Sequence, residues 1–437
     1  MVSVTDRPRG LVIAAPSSGA GKTVVALGLM RALREAGHRV AGAKSGPDYI
    51  DPRFHEAATG SPSVNLDAWA MDGGSLRARA AVPADLLVVE GAMGALDGAP
   101  PEGRGSGADL ATALALPLVL VIDAARQAQS VALPLAGLAA LRPDVQIAGA
   151  ILNRVASERH ARAARAAVER AGHVVLGVIP REAALALPSR HLGLVQAGEH
   201  PDLERFVARA AEIVAAGTDL DRLAALAAPV APVGEETAPR RLSPLGQRIA
   251  IASDEAFAFA YPHLLTDWQA AGATLHPFSP LADEAPDAEA DAIFLPGGYP
   301  ELHAGRLAAA TGLAAGIQAA AARGARIYGE CGGYMVLGQG LIDAEGVRHA
   351  MLGLLPVTTS FAARRMTLGY RTLIPRRGAP VTGRHAGHEF HFASILDEGP
   401  GEAVFDATDA EGAPLTPMGR QVGTVAGSFA HLIAPCP

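Results

Sequence analysis

An apolar run, Leu11–Ala15, passes directly into Pro16-Ser17-Ser18-Gly19-Ala20-Gly21-Lys22-Thr23 and then into a helical pattern from Val24 to Ala36. Few segments restrict a fold as tightly. The run reads as a buried strand, and the glycines allow successive backbone N–H groups to turn toward one point. The following helix adds the positive end of its dipole there. Such a loop cradles phosphate through Gly19, Ala20 and Gly21, with Lys22 reaching outer phosphates and Thr23 holding Mg²⁺. Pro16 stands where the plain pattern has its first glycine, and Gly19 is an extra one.

A strand–loop–helix of this kind belongs to a doubly wound sheet, and the surrounding sequence repeats the alternation. Apolar runs at Leu11–Ala15, Arg39–Ala43, Asp85–Glu90, Leu118–Asp123, Val145–Leu152 and Val174–Ile179 are separated by alanine-rich amphipathic stretches. That is the texture of α/β architecture with a parallel sheet. The stretch Ala228–Gly246 is rich in Pro and charge and breaks it. A second α/β series follows, with strands expected at Arg248–Ser253, Ala273–Pro277, Ala292–Leu295 and Ala325–Gly329 and helices from Pro262 and Glu301. After Gly340 come short strand-and-turn segments ending in Gln421–Ala426. The division expected is residues 1–230, a linker at 231–246, and residues 247–437; a chain of 437 residues exceeds one ordinary core.

The balance of 37 basic against 44 acidic side chains, net charge −7, argues against nucleic acid as a partner. Cys331 and Cys436 give no disulfide framework. Residues 1–10 lack the apolar core of a leader, and no apolar run reaches the ~18 residues of a membrane helix. A soluble, cytoplasmic protein is the expectation.

Three further segments carry chemistry. Glu90 ends a buried strand beside the phosphate loop, where an acid binds Mg²⁺ directly or through water. Lys44, with Asp48 and Asp51 after it, makes a compact cation-and-metal site, so Thr23, Asp48 and Glu90 are the candidate metal ligands. Far along the chain, Glu330-Cys331-Gly332-Gly333 follows a short strand and precedes a helix. This is a nucleophile elbow, in which the helix N-terminus is expected to lower the Cys331 thiol pKa. His431 is the candidate base. Gly297 and Gly298, after another strand, could join Gly332 in supplying backbone donors to an oxyanion. In His388-Glu389-Phe390-His391, strand alternation puts the two histidines on opposite faces, which favours a polar substrate edge or a structural role over a metal.

Together these pieces resemble the cobyrinic or hydrogenobyrinic acid a,c-diamide synthases. The resemblance rests on Ala14–Thr23, KSGPDYIDP (Lys44–Pro52), VVEGAMGALDG (Val88–Gly98), Phe278–Leu281, LPGGYPELHA (Leu295–Ala304), IYGECGGYM (Ile327–Met335), Leu368–Arg371 and GHEFHFAS (Gly387–Ser394). It implies a dethiobiotin-synthetase-like P-loop domain followed by a class I glutamine amidotransferase domain with a flavodoxin-like sheet. It also implies ATP and Mg²⁺ as cofactors, and L-glutamine and hydrogenobyrinic or cobyrinic acid as partners. Ring carboxylates a and c would be phosphorylated by ATP and amidated by ammonia from glutamine. Lys22, Thr23, Asp48, Asp51 and Glu90 would serve ATP–Mg²⁺ and carboxylate activation, Lys44 the same anionic site, and Asn153 the adenine. Cys331 would be the nucleophile and His431 its base. The glutamate that glutaminase triads place two residues after the histidine is replaced by Ile433. The alanine-rich composition leans the ring toward the metal-free form; a homodimer is left open. Cobyric acid synthase and nickel-sirohydrochlorin a,c-diamide synthase are the alternatives within the chemistry. A partition-type ATPase with a silent glutaminase is the alternative outside it.

Overall fold

The computed structural model describes residues 7–185, 189–190, 193–234 and 239–436. The opening residues 1–6 and linker residues 235–238 read above lie outside these. The chain divides into two units, residues 1–239 and 240–437.

The first unit is built on an eight-stranded sheet. Its strands are β1 (Arg9–Ala14), β2 (Val40–Ser45), β3 (Val64–Leu66), β4 (Leu86–Glu90), β5 (Leu118–Asp123), β6 (Ile147–Val155) and β7 (Val175–Pro180), in the order β3-β2-β4-β1-β5-β6-β7. The eighth, Ala228–Pro229, runs antiparallel to β1. All five residues of β4 are buried, as an unbroken Leu-Leu-Val-Val run in a sheet covered on both faces must be. The Pro-rich stretch from Ala228 is thus tied to the first unit before the expected linker at 231–246, with Val230 N–H donating to Pro8 O.

Register is what positions the site. Glu90 lies opposite Ile13 of β1 on one side and Lys44 of β2 on the other. The carboxyl ends of these strands therefore meet where β1 turns into helix α1 (Lys22–Glu35). The chain leaves β1 toward one edge of the sheet and later crosses from β4 to β5 toward the other edge. The loop after β1 consequently occupies a topological switch point, where open α/β sheets take ligands.

The second unit carries a sheet in the order Thr274–Phe278, Arg248–Ala252, Ala292–Leu295, Arg326–Glu330, Val425–Ser428, Arg420–Val422. The first five are parallel, and numbered along the chain they give the 2-1-3-4-5 order of flavodoxin-like sheets. Two four-stranded sheets complete the unit. One of them sets the strand His385–His391 between Thr367–Pro375 and His431–Pro435.

Two expectations are corrected here. Gln421–Ala426 is not one strand: Gly423, at φ 59°, turns the chain between Arg420–Val422 and Val425–Ser428. Nor does the series end there: a further strand, His431–Pro435, opens on the candidate base. Short, half-apolar segments around a left-handed glycine read alike as strand or hairpin until their partners are known.

Candidate active sites

At the phosphate loop, Gly19 and Gly21 take φ of 82° and 87°, left-handed conformations that cost a side chain-bearing residue strain. Gly21 caps α1, so Lys22 and Thr23 are its first two residues. Thr23 Oγ1 donates to Glu90 Oε1 at 2.6 Å, and Lys22 Nζ stands 3.6 Å from the same oxygen. From β2, Lys44 Nζ reaches it at 3.2 Å, hydrogen-bonds the Asp51 carboxylate, and lies 3.7 Å from Asp48 Oδ2. Lys22, Thr23, Lys44, Asp48, Asp51 and Glu90, spread over 69 residues of sequence, form one connected network.

Burial sets its electrostatics. It would depress Lys44, but Asp51, Glu90 and Asp48 outweigh it and hold the ammonium above its ordinary range. Burial would likewise raise Glu90, yet Lys44, His55 and Lys22 keep that carboxylate well below its usual value. Asp51, raised first by burial and then by Asp48, is pushed up to about 6. Lys22, with less compensation, is lowered mainly by burial.

The three candidate metal ligands have different engagements. Among the described residues no three His, Cys, Asp or Glu side chains are grouped to hold an ion. Thr23 and Glu90 do offer adjacent hard oxygens of the kind Mg²⁺ takes. Asp48 is different: its Oδ1 accepts the N–H groups of Ile50 and Asp51, which shapes the turn into helix α2 (Asp51–Thr59). Asn153 is also differently engaged. Its side-chain nitrogen donates to Ala20 O at 2.9 Å and its oxygen accepts from Arg154 N, so here it braces the phosphate loop.

Two residues at the phosphate site escaped the reading of the sequence. His55, fully buried on α2, brings Nε2 to 2.8 Å from Glu90 Oε2, while Nδ1 meets Ser63 Oγ at 3.2 Å. It follows Asp51 by four residues, the spacing that puts both on one helix face. Arg154, at φ 58°, donates to Gly19 O at 2.9 Å. Nothing in its local sequence marks it.

The second site lies at the carboxyl end of Arg326–Glu330. Cys331 occupies a strained φ 48°, ψ −101°, its N–H donating to Ser428 O at 2.8 Å, and the helix Gly332–Leu337 follows. A Cβ added at Gly297 would strike the His431 ring and lie 3.3 Å from Cys331 Cβ, so Cys331 and His431 flank that glycine. A Cβ at Gly332 would come to 3.0 Å from Gly298 N, which places the expected oxyanion donors side by side. The thiol itself departs from expectation. Burial, reinforced by Glu301, pushes it up, and the Gly332 N–H offsets only part of this. A six-residue helix does not outweigh full burial, so a base beside the thiol is required before it can act as a nucleophile.

GHEFH supplies the neighbouring strand. His388 pairs in register with His431, and its own ring is held neutral, down to about 3, by burial and then by His431. On the opposite face Glu389 accepts from Arg371 at 2.6 Å and lies 3.5 Å from His391, which stacks on Phe429.

A phosphate-loop unit joined to a unit with a Cys–His elbow defines a class, and the comparisons agree. Residues 11–195 match the CobQ/CobB/MinD/ParA nucleotide binding domain, and residues 248–435 the CobB/CobQ-like glutamine amidotransferase domain. The chain is 53% identical to the hydrogenobyrinate a,c-diamide synthase of Brucella anthropi, over 98% of this chain and 99% of that one. It is 54% identical to the enzyme of that name from Rhizobium meliloti, over 97% and 99%, and 50% identical to that of Mesorhizobium japonicum, over 98% of each. The chain belongs to the hydrogenobyrinate a,c-diamide synthase family. No helix among its described residues is long and apolar enough to cross a membrane.

Proposed function

We propose that the protein amidates the a and c carboxylates of hydrogenobyrinic acid, using ATP to activate each carboxylate and glutamine as the nitrogen source. The observation that supports this reading is the pairing, within a chain half identical to such synthases along nearly its whole length, of a phosphate loop whose Thr23 meets Glu90 with an elbow whose Cys331 and His431 flank Gly297.

In the first unit, a ring carboxylate oxygen attacks the γ-phosphorus of ATP, and ADP leaves. Both partners are anionic, so the ammonium groups of Lys22 and Lys44 neutralise charge that accumulates on the transferring phosphoryl group. Thr23 and Glu90 are the residues that would hold Mg²⁺, which would supply further charge compensation at the phosphates. Glu90, ionised and hydrogen-bonded at both oxygens, holds Thr23 and both lysines in place. Ammonia then attacks the acyl carbon of the acyl phosphate, and phosphate departs.

In the second unit, His431 takes the Cys331 proton as the thiol attacks the glutamine amide carbon. The oxyanion is met by backbone N–H groups around Gly298 and Gly332. His431 returns the proton to the leaving nitrogen, releasing ammonia, and water hydrolyses the thioester to glutamate.

Mass spectrometry of the products from metal-free and cobalt-containing rings, with glutamine and ATP, tests the proposal. Diamide from the metal-free ring is the expected product. Diamide from the cobalt ring alone would move the substrate assignment, and no amidation of either ring would end it.

A further inference from the structure

The position two residues past the base cannot supply a charge. Ile433 is apolar and 1% exposed, and its carbonyl accepts from His263 Nε2 at 2.8 Å. Another acid reaches the same place from a different direction. After Val425–Ser428 the chain turns through Phe429 and Ala430, with Ala430 N–H donating to Ser428 Oγ. This turn carries His431 and Leu432 over the end of the strand Arg326–Glu330. There Glu330 Oε1 accepts the Leu432 N–H at 3.0 Å, and Oε2 stands 3.6 Å from His431 Nδ1. Both side chains are 2% exposed.

We infer that Glu330, the residue immediately before the nucleophile, is the positioning acid of the glutaminase site. It grips the backbone beyond the base with one oxygen and faces the base's Nδ1 with the other. An Nδ1–H directed at Glu330 leaves Nε2 as the lone-pair nitrogen for the thiol, and the carboxylate balances the imidazolium formed when Cys331 gives up its proton. The other charged groups near this pair have different engagements. Glu389 is held by Arg371 and His391, His388 is kept neutral by burial, and Glu301 acts on Cys331 by opposing its ionisation. This inference rests on the Cys331–His431 reading above.

Glu330→Gln separates charge from shape, because the amide oxygen can still accept from Leu432. Glutamine hydrolysis should fall on the order of a hundredfold in kcat with the KM for glutamine unchanged, the scale of general acid–base assistance. In a Cys436→Ser background, the pH midpoint for alkylation of Cys331 by iodoacetamide should move upward, and ammonium-dependent amidation should stay as in the unsubstituted protein. Unchanged hydrolysis with an unchanged alkylation profile overturns the inference. So does an equal loss of ammonium-dependent amidation, which marks a structural role. Should the variant not fold, histidine-selective ¹⁵N NMR of the unsubstituted protein decides: a proton on Nδ1 of neutral His431 supports the inference, and one on Nε2 overturns it. A protein that amidates with neither nitrogen source defeats the proposed function, while hydrolysis, alkylation and NMR still judge Glu330.

Discussion

Glu90 concentrates the demands of the phosphate site in one fully buried carboxylate, with Thr23, Lys22 and Lys44 around one oxygen and His55 on the other. Glu90→Gln keeps the volume but removes the charge that balances the buried Lys44 ammonium and the half-buried Lys22. Turnover should drop on the order of a hundredfold or more while ring binding, followed by direct titration, persists. Asp48→Asn should behave alike, since Asp48 faces Lys44. Normal turnover, or loss of ring binding alone, would show these acids to be structural. His55→Gln should cost less, about tenfold to a hundredfold in ATP-dependent turnover, as for other groups that orient a functional carboxylate. Unaltered turnover would remove His55 from the site. Lys22, Thr23 and Glu90 were legible in sequence because a phosphate loop is a local motif and an acid at a strand end is its usual companion. His55 was not, because a histidine on an amphipathic helix discloses nothing until its neighbour across the sheet is known. Glu330 hid for a similar reason: its contacts with His431 and Leu432 bridge about a hundred residues of sequence.

Strand pairing does at the next scale what motifs do locally. The β2–β4–β1 register aligns Lys44, Glu90 and Ile13, so a one-residue slip would turn Lys44 or Glu90 to the opposite face. The parallel runs of both sheets could be read from unbroken apolar stretches. The hairpin at Gly423 and the strand at His431 could not, being short and dependent on partners. In the second unit, the strand His385–His391 holds His388 against His431 at the cost of a pH-sensitive element. Its folded pKa, about 3, lies below the ordinary 6.5, so the unfolded chain binds the proton more readily. The stabilising difference is therefore complete above pH 6.5 and is lost as pH falls toward 3, at no more than about 1.4 kcal/mol per pH unit. Thermal unfolding between pH 7 and pH 5 should show this decline, and His388→Asn should flatten it. An identical decline in the variant would assign the sensitivity to other groups.

Across the whole molecule, the proposed function assigns two chemistries to the two compact units, and it requires that they can be silenced separately. Lys22→Ala should abolish amidation with glutamine or with ammonium, because phosphoryl transfer precedes either nitrogen source. Glutamine hydrolysis would report whether the second unit is intact. Cys331→Ser should abolish only the glutamine-dependent reaction. The most direct measurement supplies glutamine labelled with ¹⁵N at its side-chain amide and follows the ring product by mass spectrometry, with ammonium-fed Cys331→Ser alongside. The account predicts label in both new carboxamides of the unsubstituted protein's product, only with ATP present. It also predicts unlabelled diamide from Cys331→Ser supplied with unlabelled ammonium and the labelled glutamine. Labelled product from Cys331→Ser, or diamide formed without ATP, would contradict it.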